Sequence, residues 1–316
     1  MVVRSVDRSP FWLRIDGRWV HVDEEVMKAH PGGSAITTYR NKDATTVFHT
    51  FHQGSTEAYQ WLGKLKEEHK DNQPNIKETS DDNYQGEEAT NMGTFDISEE
   101  QADKITKSFD RLRMRVRREG FFESSYLFYA RKVAEPCILL ALAVYLQLWH
   151  QQYVLAAIIQ GFAWQQLGWA IHDACHQQIF KEHFYNDLYG YVVGPLLQGF
   201  SCGGWKEQHN IHHAATNVIG RDGDLDLLPF FATMVQDLKL VDHWVLQLLP
   251  YQHFYWTLML PLLRLSWLTQ SVQFVTSMPA QYYDIYKKRA LYEQIPLTIH
   301  WLAVFYQLYL LPDVAT

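Results

Sequence analysis

VAEPCILLALAVYLQLWHQQYVLAAIIQGFAWQQLGWAIHDACH, residues 133–176, joins two apolar runs to a pair of histidines, and its reading decides the fold. Residues 133–149 and 153–171 are parted only by His150-Gln151-Gln152. Each run is about 17–19 residues, the length a helix needs to cross a hydrocarbon layer of about 30 Å. Two such helices joined by a tight polar turn form a membrane hairpin. Arg131 and Lys132 stand at its entry, and basic flanks stay cytosolic, so the chain returns to the cytosol near Ile171. His172 and His176 are therefore expected at the cytosolic end of the second span, with His150 at the far turn.

Working outward, residues 188–200 and 244–275 are apolar but broken by Gly194, Pro195, Pro250, His253, Pro261 and Arg264. Such interruptions suit interfacial or re-entrant helices better than clean spans. Lys287, Lys288 and Arg289 precede a third apolar run, residues 295–311. Upstream, residues 97–118 have helical spacing and end in Arg111, Arg113, Arg115, Arg117 and Arg118, a basic face suited either to anionic headgroups or to open solvent. Residues 71–92 are rich in Asp, Glu, Asn, Gln and Thr without periodicity and read as a linker. FWLRIDGRWVHV, residues 11–22, alternates apolar and polar around Asp16-Gly17, the signature of a β-hairpin.

The 316 residues carry a formal net charge of −7 and are 47% hydrophobic, with charges crowded into the first third, so the averages conceal a polar part and a membrane part. This modest acidity gives no reason to expect a nucleic-acid partner. Cys137, Cys175 and Cys202 are odd in number and lie in or near the apolar half, which argues against a disulfide framework and for a reducing, cytosol-facing site. The amino end is polar and charged, so insertion is expected to use internal spans.

Three groups of histidines carry chemistry. His30-Pro31-Gly32-Gly33 sets an imidazole before a turn whose glycines let the backbone pass close to a flat ligand. DATTVFHTFH, residues 43–52, places His49 and His52 on a short helix, and by spacing alone either can face His30 across a haem. His172 and His176, four apart, project from one helix face, although about 0.7 such pairs arise by chance in this composition. HNIHH, holding His209, His212 and His213, would arise only about 0.03 times. A set built from imidazoles alone suits iron, zinc or copper and not magnesium or calcium. Five ligands exceed the needs of one tetrahedral zinc. Each ring must be oriented through its second nitrogen, for which Asp173, Glu207, Asp222, Asp224 and Asp226 are available. His21 and His69 have no comparable setting.

Residues 11–66, with the His-Pro-Gly-Gly motif complete and Asp43-Ala44-Thr45 leading to the second histidine, closely resemble the cytochrome b5 domain. Matching that family's Phe-His pair implies His30 and His52 as ligands of haem b. The other two histidine groups, their spacing and the hairpin before them resemble the first two histidine boxes of integral-membrane desaturases and hydroxylases. HDACHQQ, GGWKEQHNIHHAATN and GRDGDLDL carry that match, and the similarity runs through essentially all 316 residues. A b5 domain at the amino end is the order found in front-end desaturases, and the chain is most similar to the nematode delta-5 and delta-6 acyl type, leaning to delta-5.

The resemblance implies an α+β cytochrome b5-like haem domain (1–70), an acidic polar linker (71–96) and an all-α integral-membrane desaturase domain (97–316), incomplete at the C-terminus. It further implies a di-iron centre held by His172, His176, His209, His212 and His213. In that family the centre uses O2 to take hydrogen from unactivated methylenes, leaving a cis double bond on the carboxyl side of existing ones. Methylene C–H bonds are too strong for acid–base groups, so such chemistry needs a metal fed with single electrons. The b5 haem would relay them from NADH-cytochrome b5 reductase. Polyunsaturated acyl-CoA or phospholipid acyl chains would be substrate. The implied location is the endoplasmic reticulum membrane, multi-pass, with haem domain and histidine boxes cytosolic.

The family's third box, a glutamine followed by two adjacent histidines after a fourth span, has no counterpart here, and His300 lies inside the third apolar run. The resemblance therefore implies an incomplete di-iron site and no desaturation by this chain alone. A b5-fused fatty-acid or sphingolipid hydroxylase shares the same motifs. A membrane-tethered b5 electron carrier and a structural zinc site at HNIHH are the readings from other classes.

Overall fold

The computed structural model describes residues 9–76, 98–217, 222, 224, 227, 230–232, 244–276 and 282–313. Most of the expected linker, most of GRDGDLDL and Asp226 lie outside the described residues. Strands β1 (Phe11–Ile15) and β2 (Arg18–Val22) are followed by helices α1 (Glu24–Ala29), α2 (Thr45–Phe51), α3 (Thr56–Glu68) and α4 (Glu99–Arg118). Then come α5 (Tyr126–His150), α6 (Tyr153–Cys175), α7 (His183–Tyr191), α8 (Cys202–Ala214), α9 (Gln252–Met259), α10 (Leu263–Thr276) and α11 (Asp284–Tyr309). The architecture is thus mostly helical. The chain divides into two compact units.

One unit comprises Met1–Arg115, Glu207–Leu263 and Met278–Lys287. Its antiparallel hairpin pairs Phe11 with Val22 and Ile15 with Arg18. Asp16 and Gly17 both take positive φ, which matches the twist of a two-residue hairpin turn. Alternation buries Phe11, Leu13 and Ile15 on one face, with Val20, Val22 and Met27. Asp23 caps α1 by accepting from the Val26 amide, and Ser55 caps α3 by accepting from Ala58. Gln73, at the start of the expected linker, pairs with both backbone groups of Trp19, so the chain stays fastened to β2 that far.

The other unit comprises Val116–Lys206, Arg264–Ser277 and Lys288–Thr316. Here α5 and α6 form the expected hairpin, turned by Gln151 in the left-handed region. Helix α6 runs one turn beyond Ile171, so His172 lies in its last turn and His176 is its C-terminal cap residue. Among the described residues α6 is the one helix long and apolar enough by composition to cross a membrane. The longer α5 and α11 carry charges near their starts, Arg131, Lys132 and Glu135 in one and Lys287, Lys288, Arg289 and Glu293 in the other. Their remaining outer faces are apolar and exposed, with Ile138, Leu142 and Trp149 on α5, Phe162 on α6, and Ile295, Leu302 and Phe305 on α11. Patches of this size mark a surface made for lipid or partners. Inside, Leu167, Ile171, Cys175, Val193, Phe200 and Cys202 form a core joined by Trp164 and Trp205. The broken segments fall as their prolines dictate: Pro195 sits in a π-helix (Val192–Gln198), and Pro250 and Pro261 in 3-10 turns. His300 Nδ1 donates to the Leu196 carbonyl at 2.8 Å.

The loop after His176 depends on one side chain. Asn186, almost fully buried, accepts from the Ile179 and Phe180 amides and donates to the Phe180 and Glu182 carbonyls. Asn186→Ala leaves these backbone groups without partners, at about 1–3 kcal/mol each. The variant is expected to lose at least about 4 kcal/mol and to melt well below the native protein in detergent. An unchanged melting temperature would show that the loop finds other partners.

Candidate metal sites

Four residues apart on a helix means one face, and at the end of α6 the His172 and His176 rings lie 4.6 Å apart between centroids. His172 Nδ1 meets Asp173 Oδ1 at 3.0 Å, and Asp173 Oδ2 accepts from the Tyr129 hydroxyl at 2.9 Å. Trp205 of α8 packs edge-on against both rings, at 5.4 Å and 6.1 Å.

In the other unit, α8 presents His209, His212 and His213 within 5.5 Å of one another by ring centroid. His209 Nδ1 meets Asp224 Oδ2 at 2.9 Å, and His212 Nδ1 meets both oxygens of Asp222 at 2.9 Å. Asp222 is itself held by the Asn217 and Asp224 amides, and Asp224 by the Gln208 side chain. Burial pushes the Asp224 carboxyl up, but hydrogen bonds from His209 and Gln208 outweigh it and hold the group below the usual carboxylate range. A carboxylate at Nδ1 fixes that nitrogen as the donor and turns Nε2 outward as a lone pair, the form in which imidazole binds a metal. The Nε2 atoms of His209 and His213 stand 3.0 Å apart. Two nitrogens about 2 Å from one ion and at right angles about it are separated by about this distance. The residues present therefore fit a histidine-bound metal. His212 also lies with Asp222 and Asp224 in a group whose potential ligand atoms are within 4.8 Å.

Of the acids available from sequence, Asp173, Asp222 and Asp224 back the rings. Glu207 does not: burial pushes its carboxyl up to about 7, and among the described residues it bonds to no histidine. Tyr129 and Gln208, which hold the acids in turn, were not singled out from sequence. Tyr129 lies 44 residues from its partner, and no local pattern marks it.

At the amino end, the His30 and His52 rings face each other with centroids 6.0 Å apart. Two imidazoles each about 2 Å from a shared metal place their ring centres about 6 Å apart. His52 Nδ1 meets the Phe48 carbonyl at 2.9 Å, leaving Nε2 for a ligand, and its ring stacks on Phe48. His30 Nδ1 is buried without a hydrogen-bond partner, and burial pushes this histidine down to about 4, so its ring is neutral at pH 7. A Cβ at Gly32 would stand 2.7 Å from His30 Cε1, which is why the turn needs glycine there. His49 is engaged elsewhere, by the Tyr59 hydroxyl at 2.8 Å and Asp16 at 2.7 Å.

The fatty acid desaturase family profile matches residues 148–316. A Delta(5) fatty acid desaturase of Caenorhabditis elegans is 56% identical, covering 100% of this chain and 71% of that protein. A Delta(6)-fatty-acid desaturase of the same organism is 41% identical over 97% of this chain and 70% of its own length. A Delta(8)-fatty-acid desaturase of Euglena gracilis is 33% identical over 92% of this chain and 64% of its own. No solved structure matches.

Asp222→Ala takes the acceptor from His212 Nδ1 and from two backbone amides. Metal affinity is expected to fall about 10–100-fold, read as metal retained through dialysis against a graded chelator. Retention equal to the native protein would remove Asp222 from the site.

Proposed function

The chain belongs to the fatty acid desaturase family, and on that premise we propose that its two cytosol-facing histidine groups serve one di-iron centre acting at the delta-5 position of polyunsaturated acyl chains. As a family member it is an oxidoreductase that desaturates fatty acyl chains, of the front-end type. The observation that carries the site assignment is the row of carboxylates behind the rings, Asp173 on His172, Asp224 on His209 and Asp222 on His212. Trp205 packs edge-on against His172 and His176, holding that pair of rings in place. His172, His176, His209, His212 and His213 are the proposed ligands. Higher identity to the Delta(5) than to the Delta(6) relative favours delta-5.

We propose that His30 and His52 would hold haem b, supported by the opposed rings, the buried neutral His30 and the glycine turn around it. Held by two imidazoles, the haem would supply electron transfer. When bound, the iron centre would supply oxygen activation and the haem single electrons, from NADH-cytochrome b5 reductase. The chain's own part is to keep each imidazole in its ligating tautomer and to fix its direction. O2 and an acyl-CoA or phospholipid acyl chain are the proposed substrates, in the endoplasmic reticulum membrane with residues 1–70 and both histidine boxes cytosolic. The apolar faces of α5, α6 and α11 support the membrane placement.

Expression from the full transcript in yeast supplied with eicosatetraenoic or linoleic acid tests the function through fatty-acid methyl esters. A new double bond at delta-5 of the longer acid, lost in His209→Ala, is expected. Conversion of linoleic acid alone would make the enzyme a delta-6 type, a hydroxylated product would favour the lipid-hydroxylase reading, and haem iron without other metal would favour the electron-carrier reading.

Absorbance spectra test the haem assignment separately. The protein is expected to show a low-spin b-type spectrum that His52→Ala abolishes and His49→Ala preserves. The reverse pattern would exchange the two residues.

A further inference from the structure

The module carrying His30 and His52 does not stand apart from helix α8. The Tyr39 hydroxyl donates to the Ala214 carbonyl at 3.1 Å, across 175 positions of sequence. Ala214 is the last residue of α8 and follows His213 directly. The final carbonyls of a helix have no partner within it, and here a phenol from the amino-terminal module supplies one. Tyr39 ends the 3-10 helix Gly33–Tyr39, which grows out of the His-Pro-Gly-Gly turn. One short rigid element therefore runs from beside His30 to beside His213.

The same turn is gripped from another side. Tyr286, fully buried at the start of α11, donates to the Gly32 carbonyl at 3.4 Å. Gly33 is at φ +60, and its open Cα face lies directly against the Tyr286 phenol, so a side chain there would collide. Tyr283, also fully buried, packs on Tyr286 at 5.3 Å and on Tyr282 at 5.0 Å, and Lys28 of α1 lies 5.5 Å over the Tyr282 ring. Packing alone would explain buried tyrosines. It does not explain why a hydroxyl from α11 meets one end of this element while the hydroxyl at its other end reaches the last carbonyl of α8.

We propose that Tyr39 and Tyr286 are positioning residues that clamp the His30–His52 module onto the carboxyl end of α8, so that electrons pass between the two groups of histidines in a held geometry. The clamp follows from these hydrogen bonds, and its purpose rests on the haem and metal assignments above. In each transfer one electron leaves the ferrous haem, which becomes ferric, and one is gained by the metal bound to α8. Neither tyrosine touches a reacting atom.

Amide hydrogen exchange on the whole protein reads the clamp without any cofactor. One ordinary hydrogen bond shifts a docked population about three- to tenfold. Tyr39→Phe is expected to raise exchange by that factor at residues 33–39 and at the end of α8, with the β1–β2 hairpin unchanged. Tyr286→Phe, which leaves α8 untouched, should do the same at the turn. Flash reduction of the haem in the loaded protein then reads the purpose: reoxidation should slow about three- to tenfold in Tyr39→Phe. The haem spectrum and midpoint potential should not move, which a merely structural loss would not spare. Unchanged exchange in both variants, or unchanged reoxidation despite raised exchange, would overturn the proposal. A native protein with no low-spin haem would instead overturn the haem assignment, and the exchange result would still decide the clamp.

Discussion

A buried acid holds the amino end of α8, and the histidines depend on it. Glu293 of α11 is fully buried, bonds the Ser201 hydroxyl and accepts from the Gly203 amide at 2.8 Å. Ser201 in turn accepts from the Gly204 amide at 2.9 Å. The first amides of a helix have no partners within it, and an acidic group there matches the positive end of the helix dipole. One turn earlier on α11, Arg289 bonds Asp187 at 3.2 Å. Gly203 and Gly204 let Phe274 come close to the helix start, where a Cβ on Gly203 would stand 2.5 Å from its ring. A helix some 90 residues downstream thereby holds the start of α8, close to Trp205.

The proposed membrane placement would impose a second constraint. A buried amide in hydrocarbon would have to find a partner inside the protein. Gln307 of α11 donates to the side chains of Gln147 and Gln160, both at 2.7 Å, and Gln147 returns a bond to the Gln307 carbonyl at 2.8 Å. Each such contact between membrane helices contributes only about 1 kcal/mol, yet three of them meet at one level of α5, α6 and α11 and exclude other registers. The register matters because α11 carries Glu293, and hence the cap on α8, while α6 carries His172. Three glutamines thus fix the register of α5, α6 and α11 against one another.

Periodicity made the hairpin legible. Residues 133–149 and 153–171 are apolar for about the right length, and three polar residues mark the turn. The acids behind the rings were legible in part, because Asp173, Asp222 and Asp224 are near in sequence to the histidines they meet. Glu207 is only two residues from His209, yet among the described residues it bonds to no histidine. Glu293, Tyr129 and Tyr39 lie 44 or more residues from their partners, and no local pattern encodes a contact at that range. His49 and His52 show the same limit at short range. Spacing allows either to face His30, and the choice is visible only once Asp16, from the hairpin turn, and Tyr59, from α3, are seen to occupy the His49 ring.

What stands behind each ring divides the histidines into two kinds. Behind His52 is a backbone carbonyl, and His30 has no hydrogen-bond partner at Nδ1. Behind His172, His209 and His212 are carboxylates. A carboxylate at Nδ1 makes the opposite nitrogen a more basic ligand, whereas a carbonyl does so weakly. In the proposed assignment the richer donors belong to the centre that must carry oxygen chemistry, where added electron density favours the more oxidised metal. The poorer donors belong to the haem, which must give its electron away and take another without being drawn deep into either state. Exchanging the two kinds of backing would leave the histidine count unchanged but would move the more basic ligands from the proposed oxygen site to the haem. In that assignment the acids near HNIHH would belong to the function as much as the histidines do, since they fix the tautomer and direction of His209 and His212.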